Sequence, residues 1–153
     1  MGERENEYLV NNSDRPDWMR KDALANLIRD GCIDALWRLV NNTDRPDWIR
    51  CMALDAICEY AKVGDVSVSG SSVTVSAGGS SITLNVVSAT IGSLDSQAAD
   101  YLYRLANNSD RPDQMRRIAV QTLVGIRHSR YCLAIADNSD RPDWMRKLAM
   151  KGL

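Results

Sequence analysis

The ten-residue stretch from Asn11 to Arg20, Asn-Asn-Ser-Asp-Arg-Pro-Asp-Trp-Met-Arg, occurs four times in this chain, almost letter for letter. It returns at Asn41 to Arg50, Asn107 to Arg116 and Asp137 to Arg146, with starts 30, 66 and 30 residues apart. The longer interval is one period of 30 plus 36 further residues. A fixed period near 30 is the signature of repeat units that cannot bury an apolar face alone and must stack on their neighbours. The chain therefore reads as four copies of one unit, with a foreign segment spliced between the second and the third.

Each unit reads as a helical hairpin. Asn, Ser and Asp compete for backbone hydrogen bonds and favour turns and helix caps. Pro16 suits the first helical turn, where its missing N–H is not needed, and Arg15, forced from helical angles by that proline, belongs to the turn. Asp17 then meets the positive end of the helix dipole. Met19, Ala23, Leu24, Leu27 and Ile28 fall on one stripe at helical spacing, and Asp30-Gly31 supplies the stop. The four copies superimpose into columns: Pro16, Pro46, Pro112 and Pro142; Arg20, Arg50, Arg116 and Arg146; Ala23, Ala53, Ala119 and Ala149. Behind the alanines come Leu24, Leu54, Val120 and Met150, then Leu27, Ile57, Leu123 and Leu153, which form a core column.

An Asp, a proline-bearing turn, an Arg, two residues, an Ala and a leucine column resemble HEAT repeats, and a unit near 30 residues resembles the short variety of the phycobilisome-lyase group. The resemblance covers about 120 of the 153 residues. It implies an α-solenoid whose usual work is holding proteins together, although some members of the group act on tetrapyrroles. The paired His-Glu metal motifs of the enzymatic branches are missing, because His128 is the only histidine.

Between Val63 and Ser93 the composition turns to Ser, Gly, Val and Thr. Apolar residues alternate with small polar ones, the period of strands, and Gly78-Gly79 is a natural two-residue hairpin turn. A hairpin centred there opposes Val75 with Ile82, Val73 with Leu84, Val68 with Ala89 and Val66 with Ile91, apolar against apolar throughout. The apolar parity flips between Val68 and Val73 and again on the opposite strand. Either matched bulges lie near Gly70 and Val86, or base and tip show their apolar sides in opposite directions. Three or four shorter strands are the competing reading. A bare two-stranded ribbon is marginal in water, so something is expected to cover it.

Trp18, Trp48 and Trp144, with Gln114 in the same column, are the leading candidates for a contact surface. At roughly 100° per residue, Trp18 points almost opposite the apolar stripe of its own helix. Such an indole either seals the stack against the neighbouring unit or joins a row of aromatic anchors of the kind interfaces favour. The hairpin tip, Val73, Val75, Ile82 and Leu84, is the second candidate. The Arg20 column is expected to pair with Asp14, Asp44, Asp110 and Asp140 in a charged ladder between units. The Asn/Asp loops lack the glycine and distal glutamate of calcium loops. No GxSxG, HExxH or P-loop motif is present, and His128 reads as a solvated histidine. The four cysteines show no CxxC pair and read as reduced, buried thiols. A net charge of -1 carries no electrostatic footprint for nucleic acid, and no apolar run marks a membrane span or a secretory leader.

The expectation is a right-handed, mainly α structure: an α-solenoid of four HEAT-like helical hairpins in one domain over residues 1–153, with a β-hairpin insertion at 63–93. The expected role is non-enzymatic protein binding or scaffolding, with another protein or a second copy as partner. Self-assembly through the hairpin, or through the C-terminal face that ends on the core-type residue Leu153, is a close variant. The alternative is a lyase-like protein handling a tetrapyrrole or other ligand on its concave surface. No catalytic residue, cofactor, metal, nucleic acid or membrane is expected to take part, and the expected location is cytoplasmic.

Overall fold

The structure, a computed structural model, describes residues 2–63, 72–77, 80–85 and 95–153. Eight helices lie among these residues: α1 (Glu3–Asn11), α2 (Asp17–Arg29), α3 (Ile33–Asn41), α4 (Asp47–Val63), α5 (Asp95–Ala106), α6 (Asp113–Gly125), α7 (Ser129–Ala136) and α8 (Asp143–Met150). They pack in sequential pairs, α1 with α2, α3 with α4, α5 with α6 and α7 with α8. The second members, α2, α4, α6 and α8, each touch the next in turn, so the pairs lie one upon another. The protein is mainly helical.

The near identity of the four motifs has a geometric cause. In each loop the second residue's side-chain oxygen accepts from the backbone N–H two residues on, at 3.0 Å from Asn12, Asn42, Asn108 and Asn138. The carbonyl of the same asparagine accepts from the arginine N–H that follows, at 3.1 Å in all four copies. These paired bonds fold the loop into a turn that Asn makes well and most residues do not. Proline stands one position outside the helix, as the cap: Pro16, Pro112 and Pro142 have extended backbone, with ψ of 153, 145 and 151°. The Pro16 carbonyl accepts the N–H of Met19 and of Arg20, and Asp17 takes the first helical position.

The expected Arg–Asp ladder is not what the arginine column makes. Arg20, Arg50, Arg116 and Arg146 instead turn inward, and each Nε donates to the last carbonyls of the first helix of its own pair: Val10, Val40, Ala106 and Ala136, at 2.9–3.0 Å. A helix C-terminus carries unpaired carbonyls and partial negative charge, so a guanidinium there satisfies an acceptor and the dipole together. Arg20, Arg50 and Arg116 are buried in doing so. Among the described ion pairs none joins this column to Asp14, Asp44, Asp110 or Asp140; Arg116 meets only Asp113 of its own helix, 3.8 Å away.

Ala23, Ala53, Ala119 and Ala149 are buried, and Leu24, Leu27, Leu54, Ile57, Val120 and Leu123 belong to the same buried core. Tyr60 is fully buried, and its hydroxyl donates to the Ile28 carbonyl, tying α4 to the end of α2.

Two strand segments, β1 (Ser72–Ala77) and β2 (Ser80–Asn85), pair antiparallel with Val73 opposite Leu84 and Val75 opposite Ile82. The Gly78-Gly79 turn and the expected pairs Val68–Ala89 and Val66–Ile91 lie outside the described residues, as do the side chains of both strands.

Candidate functional site

The surface to understand is the joint between adjacent helix pairs, because it repeats. On the loop side, the arginine before the proline reaches back to the preceding unit in the second and fourth copies. Arg45 Nη1 donates to the Asn11 carbonyl, and Arg141 Nη1 donates to the Asn107 carbonyl at 2.8 Å. Beside these bonds Trp48 and Trp144 lie half-buried against the core. The guanidinium of Arg117, on the preceding unit's α6, sits 4.8 Å from the centre of the Trp144 ring, a cation–π contact across the joint. Trp144 is thus partly covered by the preceding unit, and Trp48 packs half-buried against the core.

On the first-helix side, aromatic rings bridge the joints. Tyr101 stacks on Trp37 with ring centres 4.6 Å apart, and its hydroxyl donates to Asp34. Tyr131 repeats the arrangement one unit later, stacked on Tyr103 at 4.3 Å and donating to Asp100 at 3.3 Å. Burial, with the Asp34 carboxylate second, pushes the Tyr101 phenol up to about 12, so it stays a donor. The first joint uses charge instead: Arg38 forks onto Glu7 at 2.8 and 2.9 Å.

The joint between the second and third units, where the insert enters, differs on the loop side. Gln114 replaces tryptophan and is exposed. Among the described residues, Arg111 has no equivalent of the Arg45–Asn11 bond. An open cleft of about 690 Å³ lies there, lined by Trp37, Arg38, Asn41, Asn42, Thr43 and Arg111.

The ends of the stack stand apart. Trp18 is 64% exposed, although Trp48 and Trp144 at the same motif position are half-buried. Tyr8 on α1 is 62% exposed. At the other end Leu133, Met150 and Leu153 are 56, 59 and 52% exposed, yet Leu24, Leu54 and Val120, in the Met150 column, are buried. Sequence reasoning reached Trp18 and Leu153. It missed Tyr8, Leu133 and Met150, although comparing Met150 with its own column would have exposed the anomaly. Val73, Val75, Ile82 and Leu84 face one another as backbone partners on β1 and β2, away from the tryptophan column in sequence.

The remaining reactive groups have local roles. His128 caps α7, its Nδ1 accepting the Tyr131 N–H at 3.4 Å while its ring stacks on Tyr131. Cys32, Cys51, Cys58 and Cys132 are free thiols, and desolvation pushes Cys32 up to about 11 and Cys58 up to about 12. Among the described residues no group of three or more His, Cys, Asp or Glu comes together as a metal cage, and no helix is long and apolar enough to cross a membrane. No protein-family model, curated protein or solved structure matches the chain.

Proposed function

We propose that the chain is a short HEAT-like α-solenoid that works as a non-enzymatic protein–protein interaction module. The observation that carries this reading is the exposure of Trp18. Trp18 is 64% exposed where Trp48 and Trp144 at the same motif position are half-buried, and Tyr8 on the adjoining helix is exposed as well. Large aromatic side chains left in water are the anchors of protein interfaces. The segment 63–93, as a single β-hairpin with Val73, Val75, Ile82 and Leu84 at its tip, is a second contact surface on this reading.

The test compares what the wild-type chain and the Trp18→Glu variant hold in solution, by affinity recovery from cell extract and by light scattering on the pure protein. An unchanged thermal melt for Trp18→Glu is expected, because the side chain is exposed, together with loss of the bound protein. A wild-type chain that associates neither with another protein nor with itself, or a partner retained in full by Trp18→Glu, overturns the assignment of this surface.

A further inference from the structure

We infer that the partner of the open first unit is the open fourth unit of a second copy, so that chains join head to tail; the inference rests on the interaction-module reading above. The internal joints supply the template, because the first and fourth units present the positions that meet at one or another of those joints.

On the loop side, Arg15 occupies the place of Arg45 and Arg141, and Asp137 the place of their acceptors Asn11 and Asn107. Both Arg15 and Asp137 are exposed. The fourth unit alone has Asp where the other three have Asn, which adds a carboxylate to the carbonyl an incoming guanidinium would meet. Trp18 occupies the place of Trp144, and Lys147 the place of Arg117, whose cation lies over that ring. Lys147 too is exposed.

On the first-helix side the same substitution rule gives two more pairs. Tyr8 holds the position of Arg38 and Leu133 that of Glu7, the two groups that meet at the first joint. An ion pair inside the chain thus becomes a pair of exposed apolar residues at its ends. Glu5 holds the position of Tyr101 and Tyr131, and Arg130 that of Asp34 and Asp100. A hydroxyl–carboxylate bond becomes an acid opposite a base. Met150 and Leu153 lie open in core columns buried elsewhere, and Met19 is only half-buried where Ile49, Met115 and Met145 are buried. Four residue pairs thus line up across the joint, and each is complementary in charge or in polarity. Such an interface uses two different patches, so it extends into a filament or closes into a ring.

The experiment uses sedimentation and light scattering on the wild type, on Trp18→Glu, and on Met150→Glu, with concentration raised to about 1 mM, the weak end of specific association. The wild type is expected to exceed the 17.0 kDa of one chain as concentration rises. Each variant alone should stay at 17.0 kDa, because one of its two patches is spoiled. An equimolar mixture should stop at twice that mass, the intact C-terminal face of Trp18→Glu holding the intact N-terminal face of Met150→Glu. The charge exchange is the second arm: Arg15→Glu and Asp137→Arg should each weaken assembly about tenfold or more, and their mixture should recover it. A monomeric wild type, or an assembling wild type whose two variants show no complementation when mixed, overturns the inference. A monomer that still holds a different protein through Trp18 sinks only the head-to-tail pairing and leaves the interaction-module reading standing.

Discussion

Replacing Arg127 by glycine is expected to stabilise the fold. Helix α2 ends with Gly31 at φ 70°, where the Gly31 N–H bonds the Ile28 carbonyl and the Cys32 N–H bonds the Leu27 carbonyl. Helix α6 ends in the same way: Arg127 N–H to Val124 and His128 N–H to Leu123, both at 3.0 Å. There, however, the left-handed position is held by arginine, at φ 54°. A side chain in that region costs about 1–2 kcal/mol through its Cβ, and glycine returns about 0.5–1 kcal/mol of this as extra entropy of the unfolded chain. The Arg127 side chain is exposed, so little else is lost. The net gain is about 1 kcal/mol, or about 3 °C in Tm for a chain of this size. Urea titration followed by circular dichroism should show a higher midpoint at unchanged slope, and Gly31→Ala should show the mirror-image loss. A destabilised Arg127→Gly together with a neutral Gly31→Ala would refute the argument that this backbone angle sets the cost.

Two further perturbations follow from the buried groups. Arg50→Met removes the donor to the Val40 carbonyl and leaves that acceptor buried, a loss of about 2 kcal/mol by chemical denaturation. Arg146→Met, at the half-buried copy of the same bond, should cost distinctly less, since water can replace the guanidinium. Asp55 is pushed up to about 6, first by burial and then by Glu59. Its folded value lies above the unfolded one, so its protonated form favours the fold below about pH 4 and that contribution is lost as pH rises through 6. Asp55→Asn should therefore gain stability over the wild type at pH 7 but not at pH 4. The side chain is only half-buried, which keeps the gain under about 1 kcal/mol.

Much of the helical framework is legible in the sequence, because period, turn chemistry and apolar columns are local or nearly local signals. The stripe Met19, Ala23, Leu24, Leu27 and Ile28 with the Asp30-Gly31 stop marks the helix Asp17–Arg29 in this way. Proline's step from first turn to cap is a small error with a plain cause: an extended ψ suits the residue that precedes a helix as well as its missing N–H suits the first turn. The arginine column is a larger miss. Side-chain letters advertise the nearby aspartates and hide the helix-end carbonyls that the arginines bind, because every residue carries the same acceptor. Trp18, Trp48 and Trp144 share one letter, one helix position and one direction relative to their own apolar stripe. Trp144 is partly covered by Arg117 of the preceding unit, a neighbour that no helical wheel encodes. The same holds for Tyr8, Leu133 and Met150, whose exposure is a property of the stack and not of the segment.

The most direct measurement is disulfide trapping of the joint between chains. Tyr8→Cys and Leu133→Cys together in one chain place thiols at positions whose internal counterparts, Arg38 and Glu7, are in contact. Mild oxidation followed by non-reducing electrophoresis should give a ladder of dimer, trimer and higher species, absent from either single variant and collapsed by reductant. Monomer alone, or a dimer formed equally well by a single variant, would contradict the claim that the repeat continues from one copy into the next.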